Sequence, residues 1–253
     1  MRQPITIVLL PGGPGLSPEH LLPWARSARK NFGARVTVLD YSAFARPSNA
    51  PRTRRFAEGL SKLETAIRKF APRGASILIG HSFGARIALE LLKKNPKISA
   101  AAVLVNCPGS FESSREFVRR KRRLVLPETI DDEQDFRRYW RGVLPLYFHI
   151  RPKAGEIKSL SRKTRWMETA WLTTVIQGGP KTLGASTQRR LLFINGREDA
   201  RFPASNLATL RKAFPRASHK SISGCGHFPM MEKPDALTAL ILDRLQAHKF
   251  VDL

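Results

Sequence analysis

Three side chains in this sequence could together carry out nucleophilic catalysis. Ser82 stands in the pentapeptide Gly80–Gly84, Asp199 follows the apolar run Leu191–Asn195, and His227 lies in a glycine-flanked loop. A serine hydroxyl becomes a strong nucleophile when an imidazole takes its proton, and a carboxylate beside that imidazole fixes its tautomer. The chain order serine, aspartate, histidine fits such a triad. The sequence therefore predicts acyl transfer, with Ser82 as nucleophile, His227 as base and Asp199 as acid.

The pentapeptide Gly80–Gly84 has the pattern G-x-S-x-G, and its surroundings give the pattern its meaning. It follows the apolar run Ser76–Ile79 and precedes a helical pattern that begins near Ala85. On so sharp a turn between strand and helix, the positions two residues from Ser82 can carry no large side chain. The N-terminus of the following helix would point at the site, so we expect the Phe83 amide to donate to a developing oxyanion.

A second glycine-rich loop, Leu10–Gly15, follows the first apolar run. Consecutive glycines allow backbone N–H groups to approach a ligand without obstruction. We expect the Gly13 amide to be the second oxyanion donor and Gly12 to contact the substrate. A phosphate-binding loop is not expected, because no G-K-[S/T] follows the glycines.

The acid and the base each have rivals in the sequence. Glu198 directly precedes Asp199; Asp199 is better placed before the next helix, but Glu198 remains an alternative acid. His227 is preferred among the six histidines because of its glycine-flanked loop. His81, inside the pentapeptide, is expected to pack beside the site or to support it. The others are expected to be structural: His20, His149, His219 and His248.

Apolar runs alternate with helical patterns along most of the chain. Unbroken runs rich in Val, Ile and Leu are typical of strands buried on both faces. Such alternation predicts right-handed βαβ units and an α/β fold with a doubly wound, mostly parallel sheet. Helix faces are predicted between the runs, one of them formed by Phe56, Leu60, Leu63, Ile67 and Phe70. The predicted strands are Ile5–Leu10, Val36–Asp40, Ser76–Gly80, Ala101–Asn106, Leu191–Asn195 and Lys220–Ser223.

The segment 108–186 breaks this alternation and is predicted to be mostly helical. Inserted after the fourth strand, it would form a cap over a core made of residues 1–107 and 187–253. Open α/β sheets bind ligands at the carboxyl ends of their strands, where this cap would lie. Four cap residues are expected to line the substrate: Trp140, Trp166, Glu168 and Trp171.

These motifs, in this order, resemble the α/β-hydrolase superfamily and in particular its proline iminopeptidase-like branch. Pro11–Gly15 matches the His-Gly-Gly-Pro-Gly loop of that branch, except that Pro11 replaces the histidine. After the second strand, Asp40–Ser48 keeps only the aspartate and a late serine of the usual Asp-x-Arg-Gly-x-Gly-x-Ser. The resemblance covers nearly the whole chain outside the cap. It implies the α/β-hydrolase fold, a triad of Ser82, Asp199 and His227, and oxyanion amides at Gly13 and Phe83.

The departures from the family pattern bear on the substrate rather than on the reaction type. In the iminopeptidases, cap carboxylates bind the substrate ammonium; Glu156 and Glu168 would be the counterparts here, with Trp166 and Trp171 as walls. The segment 108–186 is net cationic, which favours a neutral or anionic acyl substrate. The main prediction is therefore hydrolysis of a small-molecule carboxylic ester or related acyl bond through an acyl-enzyme. An aminopeptidase and a non-catalytic ligand receptor are the main alternatives, hydrolysis of a carbon–carbon bond also stays open, and no metal or organic cofactor is required.

The composition adds a strong positive charge that no motif explains. The 253 residues include 44 Lys and Arg against 20 Asp and Glu, a formal net charge of +24. The excess is spread along the chain, which attracts anions in general but specifies no nucleic-acid site. The densest run, Arg119–Arg123, has no interleaved aromatic residues. It is either a solvated helix face or a contact for an anion, an acidic partner or a membrane surface.

The remaining composition is that of an ordinary globular protein. The longest apolar runs, such as Ile5–Leu10 and Ala100–Val105, are too short to cross a bilayer, so no transmembrane segment is predicted. No secretory signal is expected either, which suggests a cytoplasmic location. Cys107 and Cys225 lack metal-ligand spacing and are expected to pack beside strand ends. The sequence leaves the oligomeric state open.

Overall fold

The computed structural model describes residues 5–41, 52–72, 75–109, 114–130, 132–165 and 182–247. For residues 52–55 and 75–76 it describes the backbone only. Six strands lie within these ranges, and each differs from its predicted bounds by at most two residues. The strands are β1 (Thr6–Leu10), β2 (Arg35–Val38), β3 (Ala75–His81), β4 (Ser99–Val105), β5 (Leu191–Gly196) and β6 (Ser218–Ile222).

The six strands form one sheet in the order β2-β1-β3-β4-β5-β6, and every neighbouring pair is parallel. The chain therefore moves outward from β1 in one direction to β2, and in the other from β3 to β6. Ligands of open parallel sheets bind where the strand order reverses in this way. Here the reversal lies between β1 and β3, whose carboxyl ends pair Leu10 with Gly80. The glycine-rich loop and the Ser82 turn both start from this point.

Helices cover both faces of the sheet, as predicted for a doubly wound fold. Alternate strand residues enter two separate cores, because successive side chains of a strand point to opposite faces. Val8, Leu78 and Leu104 belong to the first core, and Ile7, Ile77 and Val103 to the second. The helices are α1 (Leu22–Phe32), α2 (Arg52–Phe70), α3 (Phe83–Lys94), α4 (Arg115–Lys121), α5 (Glu133–Val143), α6 (Ala154–Arg162), α7 (Ala185–Gln188), α8 (Ala204–Ala213), α9 (Pro229–Glu232) and α10 (Pro234–Ala247).

The predicted apolar face of α2 is confirmed except at one residue, Phe70. Phe56, Leu60, Leu63 and Ile67 are buried in the first core, but Phe70 is 45% exposed. Phe70 is the last residue of α2. Its burial was inferred from spacing alone, and the structure places it beyond the packed face.

The described parts of the segment 108–186 consist of helices joined by turns and loops. They contain α4, α5, a 3-10 turn at Leu144–Tyr147 and α6. In the basic run, Arg119 pairs with Glu116, and the Lys121 ammonium lies 5.1 Å from the centre of the Tyr139 ring. Three of the residues predicted to contact substrate, Trp166, Glu168 and Trp171, lie outside the described residues. Within the described ranges, no helix combines the length and the apolar character needed to span a bilayer.

Candidate active site

Ser82 lies on the turn between β3 and α3 with backbone angles of φ 51° and ψ −118°. A β-carbon on Gly80 would lie 2.5 Å from the Ala85 Cα, and one on Gly84 would collide with the carbonyl oxygens of Leu10 and Pro11. Gly80 therefore allows the tight bend from β3 into α3, and Gly84 allows this turn to pass close to the end of β1. A non-glycine residue at positive φ is held there only by its surroundings, and such strain concentrates at functional sites.

The two amides predicted to bind an oxyanion belong to the residue after Ser82 and to the loop after β1. Phe83 is the first residue of α3, and Gly13 lies in the loop after β1 with φ 148°, a value that favours glycine. The neighbouring Gly12 amide donates to His20 Nε2 at 3.3 Å. Among the hydrogen bonds of the described residues, none is donated by the Gly13 or Phe83 amide. Ser82 Oγ likewise has no hydrogen bond within the described residues.

Asp199 and His227 are hydrogen-bonded in the buried space beside this turn. Asp199 Oδ2 accepts from His227 Nδ1 at 2.7 Å, and Asp199 is 4% exposed and His227 1% exposed. The other oxygen, Oδ1, accepts from the backbone amides of Arg201 at 2.8 Å and Phe202 at 3.1 Å. Both carboxylate oxygens are therefore held, and the imidazole has its Nδ1 side fixed.

Glu198, the rival acid, has a different set of contacts. Its carboxylate accepts from the Cys225 amide at 2.9 Å, and its own amide donates to the Cys225 carbonyl at 3.0 Å. Glu198 thus ties the loop after β5 to the loop that carries His227. No hydrogen bond between the described Glu198 side chain and the imidazole occurs, so the geometry favours Asp199 over Glu198 as the partner of His227.

Asn106 is a member of this site that the sequence argument missed. It is fully buried, has φ 46°, and its Nδ2 donates to Asp199 Oδ2 at 2.6 Å and to the Gly226 carbonyl at 3.3 Å. Its Oδ1 accepts from the Gly196 amide at 3.3 Å. One side chain thus joins the ends of β4 and β5 to the histidine loop. The available signal was its place directly after β4, at the sheet edge where the other site residues converge.

Glu232 fixes the His227 loop from the other side. Its Oε2 accepts from the amides of Gly226 at 3.1 Å, His149 at 2.9 Å and Ile150 at 2.8 Å. Its Oε1 accepts from the Phe228 amide at 3.1 Å. Hydrogen bonds from amides to a charged carboxylate are strong. Glu232 therefore holds the His227 loop against the end of the Leu144–Tyr147 turn.

Two further histidines link the glycine-rich loop after β1 to the loop that carries His227. His20 Nδ1 lies 2.7 Å from the Ser17 carbonyl oxygen, and His20 Nε2 lies 3.1 Å from His81 Nδ1. His81 Nε2 lies 2.7 Å from the His227 carbonyl oxygen. The sequence suggested a supporting role for His81 but left His20 structural. In the structure both rings are buried and together brace the glycine-rich loop against the backbone of His227.

Burial keeps both rings neutral at neutral pH. Burial, with a smaller contribution in the same direction from nearby His227, lowers the pKa of His20 to about 4, although the hydrogen bond with the Ser17 carbonyl acts against this shift. Burial also lowers the pKa of His81 well below its ordinary value, with His20 and His227 acting in the same direction. A positive charge on either ring would be unfavourable in this apolar setting.

This neutrality predicts a loss of stability at mildly acidic pH. Unfolded His20 binds a proton near pH 6.5 and folded His20 only near pH 4, so its stabilisation is present above pH 6.5 and is lost as the pH falls. Between pH 7 and pH 5 the loss should be on the order of 2 kcal/mol. Urea unfolding of His20→Gln should show a smaller drop over this range than the parent protein. His149→Gln, which removes an exposed histidine, should keep the full drop; equal pH dependence in parent and His20→Gln would contradict the prediction.

Comparison with known proteins places the chain in a family. A model of the α/β-hydrolase family matches residues 7–240. The chain belongs to the α/β-hydrolase family. A search of curated protein sequences finds no match.

Solved structures similar to this α/β hydrolase include several hydrolases at low sequence identity. A meta-cleavage product hydrolase from Pseudomonas fluorescens IP01 has 17% identity and a TM-score of 0.69, with 97% of this chain and 92% of that chain covered. The 2-hydroxy-6-oxo-6-phenylhexa-2,4-dienoate hydrolase of Rhodococcus sp. strain RHA1 has 18% identity and a TM-score of 0.71, covering 96% and 91%. A putative aryl esterase from Burkholderia cenocepacia has 18% identity and a TM-score of 0.68, covering 97% and 91%. At these identities the likeness concerns the fold.

Aromatic rings from the helical segment and from the loop after β5 pack on the imidazole of this hydrolase. The His227 ring lies 5.1 Å from the Tyr147 ring and 5.3 Å from the Phe202 ring, measured between centroids. Trp140, predicted to line the substrate, is 5% exposed and its ring lies 6.0 Å from that of Tyr147. Its indole N–H is buried without an acceptor among the described residues. The rings form an apolar wall beside the imidazole, suited to the organic part of a small substrate.

The described residues of the hydrolase offer no candidate metal-binding site. No three His, Cys, Asp or Glu side chains of the described residues are grouped so that they could hold a metal ion. Burial raises the pKa of Cys107 and of Cys225 to about 12, so both thiols stay protonated at neutral pH.

Proposed function

We propose that this α/β hydrolase is a serine hydrolase that cleaves a carboxylic ester or related acyl bond through an acyl-enzyme. The observation that carries the proposal is the buried hydrogen bond between Asp199 and His227 beside the strained turn of Ser82. A carboxylate that fixes the imidazole tautomer, next to a serine raised above a parallel sheet, is the arrangement that acyl transfer requires.

In the first half of the reaction, Ser82 Oγ attacks the substrate carbonyl carbon while His227 Nε2 takes the hydroxyl proton. The carbonyl oxygen becomes an oxyanion, to which the Gly13 and Phe83 amides donate. Asp199 stabilises the imidazolium through the Nδ1 hydrogen bond. The tetrahedral intermediate then collapses, the bond to the leaving group breaks, and His227 returns the proton to the departing oxygen.

In the second half, water releases the acyl group. His227 Nε2 takes a proton from water as the water oxygen attacks the acyl carbon, and the same two amides bind the new oxyanion. Collapse breaks the bond to Ser82 Oγ, which regains its proton from His227. The products are a carboxylic acid and an alcohol, and the enzyme returns to its starting state without a cofactor.

The helical segment 108–186 would act as the cap of this enzyme, with residues 1–107 and 187–253 as the catalytic core. The 3-10 turn of the segment supports this division. The Tyr147 carbonyl accepts from the His227 amide at 2.8 Å, and the Tyr147 ring packs on the imidazole. The substrate would therefore lie between the carboxyl edge of the sheet and the aromatic side chains of the cap.

The aminopeptidase alternative, suggested by the proline iminopeptidase-like branch, has weaker support. Glu156, one of the two carboxylates that could bind a substrate ammonium, is exposed and accepts from the Lys153 amide at 2.7 Å. It serves as the cap of α6. The other candidate, Glu168, lies outside the described residues, so the ester or acyl substrate is the function that we propose.

A panel of chromogenic substrates tests this proposal. It consists of 4-nitrophenyl esters of increasing acyl length beside amino-acid 4-nitroanilides that include proline, each also run with the Ser82→Ala variant. We expect turnover of esters that depends on Ser82 and little or none of the anilides. Proline anilide cleaved faster than every ester would establish the aminopeptidase. A panel without Ser82-dependent turnover, together with tight ligand binding, would indicate a non-catalytic receptor.

A further inference from the structure

Arg201 places a positive charge in the aromatic wall beside the imidazole. The centre of its guanidinium lies 4.6 Å from the centroid of the Phe202 ring and 5.7 Å from that of Phe117. The guanidinium also makes a hydrogen bond with the Tyr147 side chain. A guanidinium held between aromatic faces is well suited to planar recognition of a carboxylate.

Of the two rings that hold Arg201, Phe202 packs on the His227 imidazole directly, and Phe117 packs on Tyr147, which in turn contacts the imidazole. Phe202 lies 5.3 Å and Tyr147 5.1 Å from His227, and Phe117 lies 5.1 Å from Tyr147. Arg201 and His227 therefore contact the same two rings, those of Phe202 and Tyr147. A substrate whose scissile bond sits at Ser82 would bring its next few atoms to this position.

Tyr147 adds a neutral donor next to the cation. Burial raises the pKa of Tyr147 to about 12, with the Arg201 charge acting against the rise. The phenol therefore keeps its proton at neutral pH. Because a hydroxyl oxygen can accept from the guanidinium while its O–H donates elsewhere, Tyr147 and Arg201 can both face the same anion.

We propose that Arg201 and Tyr147 form a carboxylate-binding site, so that the substrate is an ester or acyl compound with a carboxylate a few atoms from the scissile bond. This inference rests on the proposed function and names its substrate class. Charge-assisted hydrogen bonds to a carboxylate are strong in a partly dehydrated site, and the guanidinium has five N–H donors with which to serve several acceptors.

The proposal concerns one position rather than the general positive charge of the protein. Arg197 lies on the same loop, four residues before Arg201, and is exposed. Its charge is screened by salt, whereas a cation in a half-buried aromatic wall is screened less. Replacing Arg197 removes the same formal charge from the same loop and so supplies a matched control.

The test compares pairs of esters that differ in charge and little in shape. On the acyl side, the 4-nitrophenyl monoester of glutaric acid is compared with 4-nitrophenyl 5-methylhexanoate. On the leaving-group side, 4-carboxyphenyl acetate is compared with its neutral methyl ester. We expect the parent enzyme to favour the anionic member of at least one pair in kcat/KM, and the favoured pair shows which half of the substrate carries the carboxylate.

In Arg201→Gln, kcat/KM for the favoured anionic ester should fall about 10- to 100-fold, mostly through KM, while the neutral partner changes by less than about threefold. Arg201→Lys should recover part of the loss, and Tyr147→Phe should show a smaller loss of the same selectivity. Arg197→Gln should leave the ratio of the two esters unchanged. The preference of the parent enzyme should persist at about 0.5 M salt, roughly three times physiological ionic strength.

Equal losses on both members of each pair in Arg201→Gln would overturn the inference and make Arg201 a packing residue of the Asp199 loop. A parent enzyme that favours the neutral member of both pairs would overturn it as well, while leaving the proposed hydrolase function intact. If no ester is turned over, the proposed function fails. Calorimetric binding of glutarate to Ser82→Ala, lost in Ser82→Ala combined with Arg201→Gln, would then still establish the carboxylate site, and no binding would refute it.

Discussion

Replacing Ser82 by alanine is expected to lower kcat for the best ester by a factor on the order of 10⁶, since in a comparable serine protease loss of the nucleophile alone removes nearly all of the triad's contribution. The alanine keeps the β-carbon and the backbone of the turn but has no oxygen to form the acyl-enzyme. Release of 4-nitrophenol by parent and variant at equal concentration measures the loss.

The fold of this variant should remain, because Ser82 Oγ makes no hydrogen bond within the described residues. Unfolding of Ser82→Ala in urea should therefore match the parent within about 1 kcal/mol. Ser205→Ala, a change at an exposed serine of α8, should retain full activity. A Ser82→Ala variant that keeps more than a few per cent of parental turnover would mean that another group is the nucleophile.

Replacing Asp199 by asparagine is expected to lower kcat roughly 10⁴-fold, as for the equivalent change in a serine protease triad. The asparagine amide would face His227 Nδ1 or Asn106 Nδ2 with a donor where both now meet the same carboxylate oxygen. The imidazole would lose the acceptor that fixes its tautomer and the charge that stabilises its protonated form.

Glu198→Gln is the matched control, since it makes the same chemical change one residue earlier. The glutamine oxygen can still accept from the Cys225 amide, so we expect kcat within a few-fold of the parent and a loss of stability of about 1 kcal/mol. Parallel measurements of kcat in the two variants decide the acid. If Glu198→Gln were the inactive variant and Asp199→Asn the active one, Glu198 would be the acid.

The features that follow from local physics could be predicted from the sequence. Gly80 is required because the turn brings it against the first residues of α3, and Gly84 because it lies against the end of β1; both requirements are visible as a short pattern. The six strands were predicted because runs buried on both faces need unbroken apolar residues. The bounds of such elements shift by one or two residues, because hydrogen bonding in the sheet rather than composition decides where a strand ends.

The features that depend on distant parts of the chain could not be predicted. Asn106 and Asp199 are 93 residues apart, and His20 and His81 are 61 apart, so only the strand order brings them together. His20 has no motif around it, and its role arises because the loop after β1 folds back over the Ser82 turn. Glu232 is similar, since an acidic residue in a short helix gives no sign that four amides will converge on it.

Arg201 shows the same limit at short range. It stands two residues after Asp199 in a protein with 44 basic residues, so its charge is not distinctive in the sequence. Its significance comes from the rings of Phe117 and Phe202, which belong to different elements and enclose the guanidinium only in the folded chain. Trp140 was predicted to line the substrate; in the structure its ring packs on that of Tyr147, and its contact with substrate stays a prediction.

The central claim is that Ser82 is a nucleophile activated by His227, and labelling with a fluorophosphonate probe followed by peptide mass spectrometry tests it most directly. Phosphonylation needs an activated serine hydroxyl but no knowledge of the natural substrate. We predict one adduct per chain, located on the peptide that contains Ser82, absent from Ser82→Ala and formed at a much lower rate in His227→Gln. An unlabelled parent protein, or an adduct on a different residue, would contradict the claim.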